Sequence, residues 1–240
     1  MQQRHIYTEI PFYGYRKVHQ QLLNEGFNIG VNRVRRYMSE LGLKVIYPTK
    51  KVQTTIANLE HKKYPYLLRE MEINRPNQVW STDITYIRVN GGFVYLAAII
   101  DWHSKAILSH RISNTMDSEF VISVLNDALR QYDPPEIFNT DQGSQYTSTK
   151  HTEILEKYNI KISMDGKGRA TDNIAIERFW RSAKYENIYI SEYNTIREVK
   201  AGLKEYIEFY NHRRLHQSLD YKVPMDIYQS NNDGSNKEAA

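Results

Sequence analysis

The chain has 240 residues, of which 40% are hydrophobic and 25% are charged, and its formal net charge is +4. These proportions are ordinary for a soluble globular protein, and no apolar run approaches the roughly 18 residues that cross a membrane. The absence of cysteine excludes disulfides, thiolate nucleophiles and cysteine-bound zinc, and the N-terminus lacks the apolar stretch of a secretory signal. We therefore expect a cytoplasmic protein with no membrane partner.

Basic residues are concentrated in the first third of the chain. Residues 1–75 contain 13 Lys and Arg against 6 Asp and Glu, whereas the remaining 165 residues contain 19 against 22. A basic arm attached to a slightly acidic core is typical of a nucleic-acid anchor joined to a metal site. A chance asymmetry of a solvated surface is the alternative.

Residues 1–46 contain two short helical patterns that are separated by Gly26 and Gly30. Apolar residues fall on one face of each pattern: Val18, Leu22 and Leu23 in the first, and Val34, Tyr37, Met38 and Leu41 in the second. The second pattern also carries Arg33, Arg35 and Arg36. Two short helices joined by a tight turn, the second of them basic, predict a helix-turn-helix module that binds DNA. A helical hairpin with solvated arginines is the alternative.

Residues 76–190 predict the main domain. Strands are expected over residues 79–89, 93–100 and 105–112, in a short stretch that ends at residue 141, and over residues 160–164. Asn90-Gly91 indicates a two-residue hairpin turn between the first two strands. Helices are expected over residues 117–130, 149–158 and 171–186. This order predicts an α/β, ribonuclease-H-like fold: a five-stranded mixed sheet with flanking helices, preceded by the helix-turn-helix module.

The segments on either side of this domain have simpler patterns. Residues 47–75 are polar and basic with little periodicity, so we predict a basic linker. Residues 191–228 are predicted to be a helical extension of the core. The polar tail, residues 229–240, is predicted to be disordered.

Three acidic residues stand out because packing does not favour an acid at their positions. Asp83 interrupts the first predicted strand, Asp141 follows the fourth, and Glu177 lies in the last predicted helix. Three hard oxygen ligands from two strands and a helix suit a pair of Mg²⁺ ions that act on phosphodiesters. We expect Asp83 to bind both ions, and Asp141 and Glu177 to complete one ion each.

Several ordered motifs carry a family resemblance. They occupy residues 80–86, 139–148, 166–173, 177–180, 184–186 and 210–219, and residues 13–19 add a match in the N-terminal module. Over residues 11–228 the chain resembles the transposases of bacterial insertion sequences that have a retroviral-integrase-type core.

The resemblance implies a metal-dependent transposase. Asp83, Asp141 and Glu177 match the metal-binding catalytic triad, and Lys184 matches a basic residue that contacts DNA phosphate. Mg²⁺ is the implied cofactor, as two ions, with Mn²⁺ able to substitute. The implied partners are double-stranded DNA, both the terminal inverted repeats of the element and the target, and further copies of the chain on the nucleoid. An N-terminal helix-turn-helix and leucine-zipper segment, often joined by frameshifting, is expected before the start of this sequence.

Other conspicuous residues are given structural roles or weaker site roles. Arg178 and Arg181 are predicted phosphate contacts on the exposed face of the last helix. Asp172 is predicted to cap that helix, and Gly166 and Gly168 to form a mobile loop before it. The remaining candidates are expected to have structural roles, with Trp80, Phe179 and Trp180 in the core and Asp101 as a strand-ending turn residue. His212 and His216, four residues apart, could share a helix face as metal ligands do, but packing on the core or contact with DNA is expected instead of zinc binding.

The sequence therefore predicts a transposase that cuts insertion-sequence ends and joins them to target DNA by two-metal, in-line phosphoryl transfer. Two alternatives remain. One is a ribonuclease-H-type nuclease that cuts without joining. The other is a DNA-binding regulator of transposition that is inactive without the N-terminal partner segment.

Overall fold

A five-stranded mixed sheet forms the centre of the computed structural model, which describes residues 2–43, 45, 64–166 and 173–230. The strand order is β3-β2-β1-β4-β5. Strands β1, β2 and β3 are antiparallel neighbours, and β4 and β5 extend the sheet in parallel from β1. The strands are β1 (Val79–Val89), β2 (Gly92–Asp101), β3 (Ile107–Ser113), β4 (Ile137–Thr140) and β5 (Lys161–Met164).

Helices precede the sheet, cover both of its faces and follow it. A π-helical turn, Lys184–Ile188, directly follows α6, and a short 3₁₀ turn, Gln217–Leu219, precedes α9. No helix in the described ranges is long and apolar enough to span a membrane. The helices are α1 (Gln2–Glu9), α2 (Tyr15–Asn24), α3 (Val31–Glu40), α4 (Ser118–Gln131), α5 (Thr149–Lys157), α6 (Ile174–Ala183), α7 (Tyr189–Ser191), α8 (Ile196–His212) and α9 (Pro224–Ser230).

Alternation along the strands divides the core between the two sheet faces. On one face, Trp80 and Ile99 pack with residues of α4, α5 and α9. On the other, Ile87 and Ile100 pack with α6 and α8. The amide side chain of Asn211 ties α8 to the sheet, because it both donates to and accepts from the backbone of Ile107. The catalytic candidates on β1 and α6 thus lie on the same side of the sheet.

The N-terminal module contains three helices rather than the two that the sequence predicts. Helix α1 adds Ile6 to a small core formed mainly by α2 and α3. Leu23, expected on the apolar face of α2, is instead 40% exposed, because α1 and α3 pack against the side of α2 that carries Val18 and Leu22. The module contacts the main domain through the backbone N–H of Leu215, which donates to the Tyr13 hydroxyl at 3.0 Å.

Residues 64–75, predicted as the last part of the linker, lie against the sheet. Leu68 is buried with Val79 and Ile137, and the backbone N–H of Leu67 donates to Ser163 Oγ at 3.0 Å. Apolar side chains in an irregular segment lack a periodic pattern, so their packing is not evident from the sequence. The earlier part of the predicted linker and the tail after Ser230 lie outside the described residues.

Candidate catalytic site

Asp83 lies in the middle of β1 and points to the sheet face that α6 covers. Trp180 Nε1 donates a hydrogen bond to Asp83 Oδ2 at 2.9 Å. The pKa of the Asp83 carboxyl is raised to about 7, mainly by burial and then by the charges of Asp141 and, more weakly, Glu177. Hydrogen bonds from Trp180 and from the backbone of Ile84 oppose this rise. The other two acids of the predicted triad therefore both lie within electrostatic range of Asp83.

Asp141 follows the last residue of β4. Because Ser81 of β1 is paired with Asn139 of the parallel β4, Asp83 and Asp141 stand at the same level on neighbouring strands. Burial raises the pKa of Asp141. The backbone N–H of Gly143 donates to Asp141 Oδ1 at 2.9 Å, and this hydrogen bond opposes the rise. This bond orients one carboxylate oxygen and leaves the other for a ligand.

Glu177 lies in the first turn of α6 and is exposed. The helix buries an apolar stripe that includes Ile176 and Phe179 against the sheet. The amide of Asn173, at the position before α6, donates to the backbone oxygen of Thr82 at 3.2 Å. Since Thr82 is next to Asp83, this bond anchors the start of α6 beside the first acid. The predicted cap Asp172 and Gly168 lie outside the described residues, and Asn173 occupies the cap position.

Lys184 begins the π-helical turn that follows α6 and is half-buried. Burial lowers the pKa of its ammonium, and the charges of Asp83 and Glu177 oppose that shift. The ammonium therefore lies within electrostatic range of two of the three acids. Arg178 and Arg181 are exposed on α6, as expected for residues that point away from the sheet.

The donor set of the site fits a hard divalent cation. Carboxylate oxygens are the ligands that Mg²⁺ prefers, and a cation beside Asp83 would offset the burial and, to a lesser extent, the repulsion that raise the pKa of this carboxyl. Within the described ranges, no group of three or more histidine or acidic side chains is arranged to hold one ion together.

The predicted DNA-binding arginines of the N-terminal module lie on the exposed side of α3. Arg33, Arg35 and Arg36 are all exposed. The guanidinium of Arg35 lies 5.7 Å from the ring centroid of Tyr15, and that of Arg36 lies 5.2 Å from the ring of Tyr37. These three arginines lie about 140 residues before α6 in the chain, and within the described residues no hydrogen bond or ion pair joins them to the acids.

Most of the residues that were expected to pack do so. Trp80, Phe179 and Trp180 are buried, although Trp180 also bonds to Asp83. Asp101 ends β2 and accepts hydrogen bonds from Ser104 and Asn77, as a turn residue does.

The two histidines do not share a helix face. Helix α8 ends at His212, and His216 lies beyond it. His216 is buried, and its Nε2 lies 3.1 Å from Arg214 Nη1. Burial lowers the pKa of His216 to about 2, and the Arg214 charge adds to the shift. His216 is therefore a structural residue, with a neutral imidazole packed beside the Arg214 guanidinium.

Arg214 and Glu186 are important neighbours of the site. Both lie in the sequence motifs, but the sequence analysis gave them no role. They form a buried ion pair next to the π-helical turn. The sequence signal that could have found them is their position in two motifs of the family resemblance, residues 184–186 and 210–219. The pairing itself joins residues 28 positions apart, which local patterns do not reveal.

Comparison with known proteins identifies the family. Residues 73–170 and 158–224 both match the family described as "Integrase core domain", and residues 4–51 match an "HTH-like domain". The InsK protein of insertion sequence IS150 from Escherichia coli K12 is 34% identical over 216 residues, which cover 89% of this chain and 76% of InsK. This chain belongs to the insertion-sequence transposases with an integrase core. The transposase of IS904 from Lactococcus lactis is 33% identical over 91% of this chain and 88% of its own length.

Solved structures of integrase cores have the same fold as this transposase. The HTLV-2 integrase catalytic core domain in complex with magnesium superposes with a TM-score of 0.53 at 21% identity, covering 65% of this chain and 97% of that core. The BIV integrase core gives a TM-score of 0.53 at 15% identity, with 66% and 98% coverage. The predicted fold class and family are therefore confirmed, and the transposase is a polynucleotidyl transferase. The roles of its individual residues stay predictions.

Proposed function

We propose that this transposase cuts DNA at the ends of its insertion sequence and joins the freed 3′ ends to target DNA, with Mg²⁺ or Mn²⁺ as cofactor. The observation that carries the proposal is that Asp83 lies within electrostatic range of Asp141, Glu177 and Lys184. A buried acid kept near two other acids costs folding free energy, which favours a function that needs it. An integrase core that was solved with magnesium has the same fold.

The chemistry consists of two in-line displacements. In the first, a water oxygen attacks the phosphorus at the element end, and the bond from phosphorus to the 3′ oxygen breaks. In the second, the freed 3′-hydroxyl attacks a target phosphodiester, and the target 3′ oxygen leaves. Two bound divalent cations would supply activation of the nucleophile and stabilisation of the leaving oxygen.

The protein's own side chains hold and orient these reactants. Asp83 would contact both cations, with Asp141 and Glu177 each contacting one. Lys184 would bind a phosphate oxygen near the reacting phosphorus, and the support for this role is that its ammonium is within electrostatic range of Asp83 and Glu177. Arg178 and Arg181, exposed on α6, would bind the DNA backbone on either side.

Partner DNA would be bound at two places. We assign the terminal inverted repeats to the N-terminal module, residues 1–46, through Arg33, Arg35 and Arg36 of α3, and the target DNA to the core, residues 76–190, with its extension over 191–228. We also propose that several copies assemble on paired ends at the nucleoid, with an N-terminal helix-turn-helix and leucine-zipper segment as partner.

The test is nicking and joining of labelled duplexes that carry the ends of the element, with and without Mg²⁺ or Mn²⁺. Glu177→Gln is expected to abolish both products. Glu153→Gln, an exposed acid on α5, is the matched control and is expected to retain them.

Each alternative has its own outcome. Metal-dependent cleavage without joining would favour the nuclease. DNA binding without any metal-dependent product would favour the regulator. If adding the N-terminal partner segment restores metal-dependent cleavage and joining, the result would favour a transposase that needs this segment.

A further inference from the structure

The hydrogen bond from Trp180 to Asp83 has a role that packing alone does not require. Trp180 lies one helical turn after Glu177 and is only 5% exposed. Its Nε1 lies 2.9 Å from Asp83 Oδ2. An indole N–H is only a donor, and each carboxylate oxygen accepts two hydrogen bonds or ligands. The bond therefore occupies one of the four acceptor positions of Asp83, and a backbone hydrogen bond from Ile84 occupies a second, so two remain.

The direction of this N–H is fixed by the surrounding core. The Trp180 ring packs against Phe179, with ring centroids 5.1 Å apart, inside the cluster between α6 and the sheet. The start of α6 is anchored to β1 through the bond from Asn173 to Thr82. Because both the ring and the helix are held, the donor cannot follow a rotation of the carboxylate. The Asp83 carboxylate must therefore adopt the orientation that Trp180 sets.

We propose that Trp180 is a positioning residue that orients the Asp83 carboxylate toward the two cations. This inference rests on the proposed function. The two acceptor positions that remain on Asp83 allow one contact to each ion, which is what a carboxylate shared between two ions needs. Groups that hydrogen-bond to metal-binding side chains fix their orientation, and loss of such a group lowers metal affinity by about 10–100-fold.

A second buried tryptophan supplies a matched control. Trp80 is fully buried, and its Nε1 donates to Asn77 Oδ1 at 3.0 Å. Trp80 lies on the opposite face of β1 from Asp83, in the core with α4 and α5. Replacing either tryptophan by Phe removes one indole and one buried hydrogen bond. Only the Trp180 replacement removes a bond to an acid of the site.

The experiment measures binding of Mn²⁺ alone to the full chain by electron paramagnetic resonance of the free ion. Trp180→Phe is expected to weaken Mn²⁺ binding about 10-fold or more, and Trp80→Phe to change it less than about twofold. In the joining assay, the metal concentration for half-maximal rate should rise for Trp180→Phe, while the rate at saturating metal recovers. Unchanged Mn²⁺ affinity in a folded Trp180→Phe protein would overturn the proposal.

A shape-conserving variant covers the case in which Trp180→Phe does not fold. Benzothienylalanine at position 180 keeps the bicyclic ring and replaces the N–H by sulfur, so it removes the donor without opening a cavity. The same loss of affinity is expected, and normal affinity would overturn the proposal.

Asp83→Asn separates this inference from the proposed function. If Asp83→Asn abolishes Mn²⁺ binding and the position-180 variants do not weaken it, only the role of Trp180 fails. If the wild-type chain binds no Mn²⁺, or Asp83→Asn binds it normally, the proposed metal site fails and the positioning role fails with it.

Discussion

Arg214 and Glu186 form two parallel contacts inside the protein. Arg214 Nε lies 2.6 Å from Glu186 Oε2, and Arg214 Nη2 lies 2.5 Å from Glu186 Oε1. Their side chains are only 9% and 11% exposed, and the Tyr206 hydroxyl donates a further bond to Glu186 Oε2 at 2.8 Å. Since Glu186 belongs to the π-helical turn that begins at Lys184, the ion pair fixes the segment that directly follows α6.

The same cluster reaches the N-terminal module. The backbone N–H of Leu215, the residue after Arg214, donates to the hydroxyl of Tyr13. Burial lowers the pKa of Lys17 on α2 to about 8, and the charge of Arg214 adds to this shift. The module that we expect to bind DNA and the turn that carries Lys184 thus meet at one buried polar cluster.

Arg214→Met is expected to destabilise the protein by about 3–5 kcal/mol, because it leaves Glu186 as a buried charge without its partner. Urea unfolding measures this loss. The double variant Glu186→Gln with Arg214→Met should lose less than the sum of the two single losses, since the second change removes the stranded charge. Additive losses would contradict a coupled pair.

The control for this prediction is an exposed ion pair. Lys150 contacts Glu119 at 2.7 Å, and the two side chains are 74% and 67% exposed. Exposed pairs contribute little to stability because water screens them. Lys150→Met should therefore leave the unfolding midpoint unchanged.

The features that could be predicted from the sequence are those with local patterns. The strand over β1, the Asn90-Gly91 turn and the position of Asp141 directly after a strand each follow from a few neighbouring residues. Gly91 has φ of 83°, a conformation that favours glycine and that the dipeptide pattern anticipates. Parallel pairing of β4 with β1 then brings the first two acids together.

The features that were missed depend on contacts between distant parts of the chain. Helix α1 contributes the buried Ile6, and one buried side chain does not produce a recognisable period. The ion pair of Glu186 with Arg214 and the bond from Trp180 to Asp83 join residues 28 and 97 positions apart. The predicted helix over 171–186 gave no sign of the π-helical turn, which begins at Lys184.

Lys184→Met is expected to slow DNA joining by about 100-fold, because the reacting phosphate loses a charged donor. The salt dependence of DNA binding should also fall by about one phosphate contact. Lys184→Arg should restore part of the activity, since it keeps the charge. The measurements are joining rates and binding affinities at several salt concentrations.

A surface lysine is the control for Lys184. Lys157 ends α5 and is exposed, so Lys157→Met should leave the joining rate unchanged. Equal effects of the two substitutions would mean that Lys184 acts only through general surface charge.

His151 makes stability depend on pH. It packs against Phe138 and Tyr146, and burial lowers the pKa of its imidazole to about 4. An unfolded imidazole binds its proton below about pH 6.5. Between about pH 6.5 and 4 the unfolded state therefore binds more protons than the folded state, and stability falls as the pH is lowered. The full loss from this group is about 3 kcal/mol.

Urea unfolding at about pH 7 and about pH 4.5 tests this prediction. His151→Gln should lower stability at neutral pH, because it disturbs the core, but should show a smaller further loss on acidification than the wild type. His5→Gln, on the exposed surface of α1, should keep the wild-type pH dependence. A His151→Gln protein as acid-sensitive as the wild type would show that other groups cause the loss.

Gly143→Ala tests whether the orientation of Asp141 matters for activity. A β-carbon at position 143 would come within 2.9 Å of both Asp141 Oδ1 and Gln145 Oε1. Because a carbon cannot approach an oxygen that closely, the Asp141 carboxylate has to move from the position set by the Gly143 N–H. We expect metal-dependent cleavage to fall about 10-fold or more, as happens when a metal ligand is misoriented.

Gly92→Ala is the matched control for this substitution, because nothing lies within 4 Å of a β-carbon there. It should leave cleavage unchanged. Unfolding midpoints of both variants separate a local effect on Asp141 from a loss of fold, since only the former lowers activity at an unchanged midpoint. Full activity of Gly143→Ala would mean that Asp141 tolerates displacement, and it would weaken the assignment of Asp141 as a metal ligand.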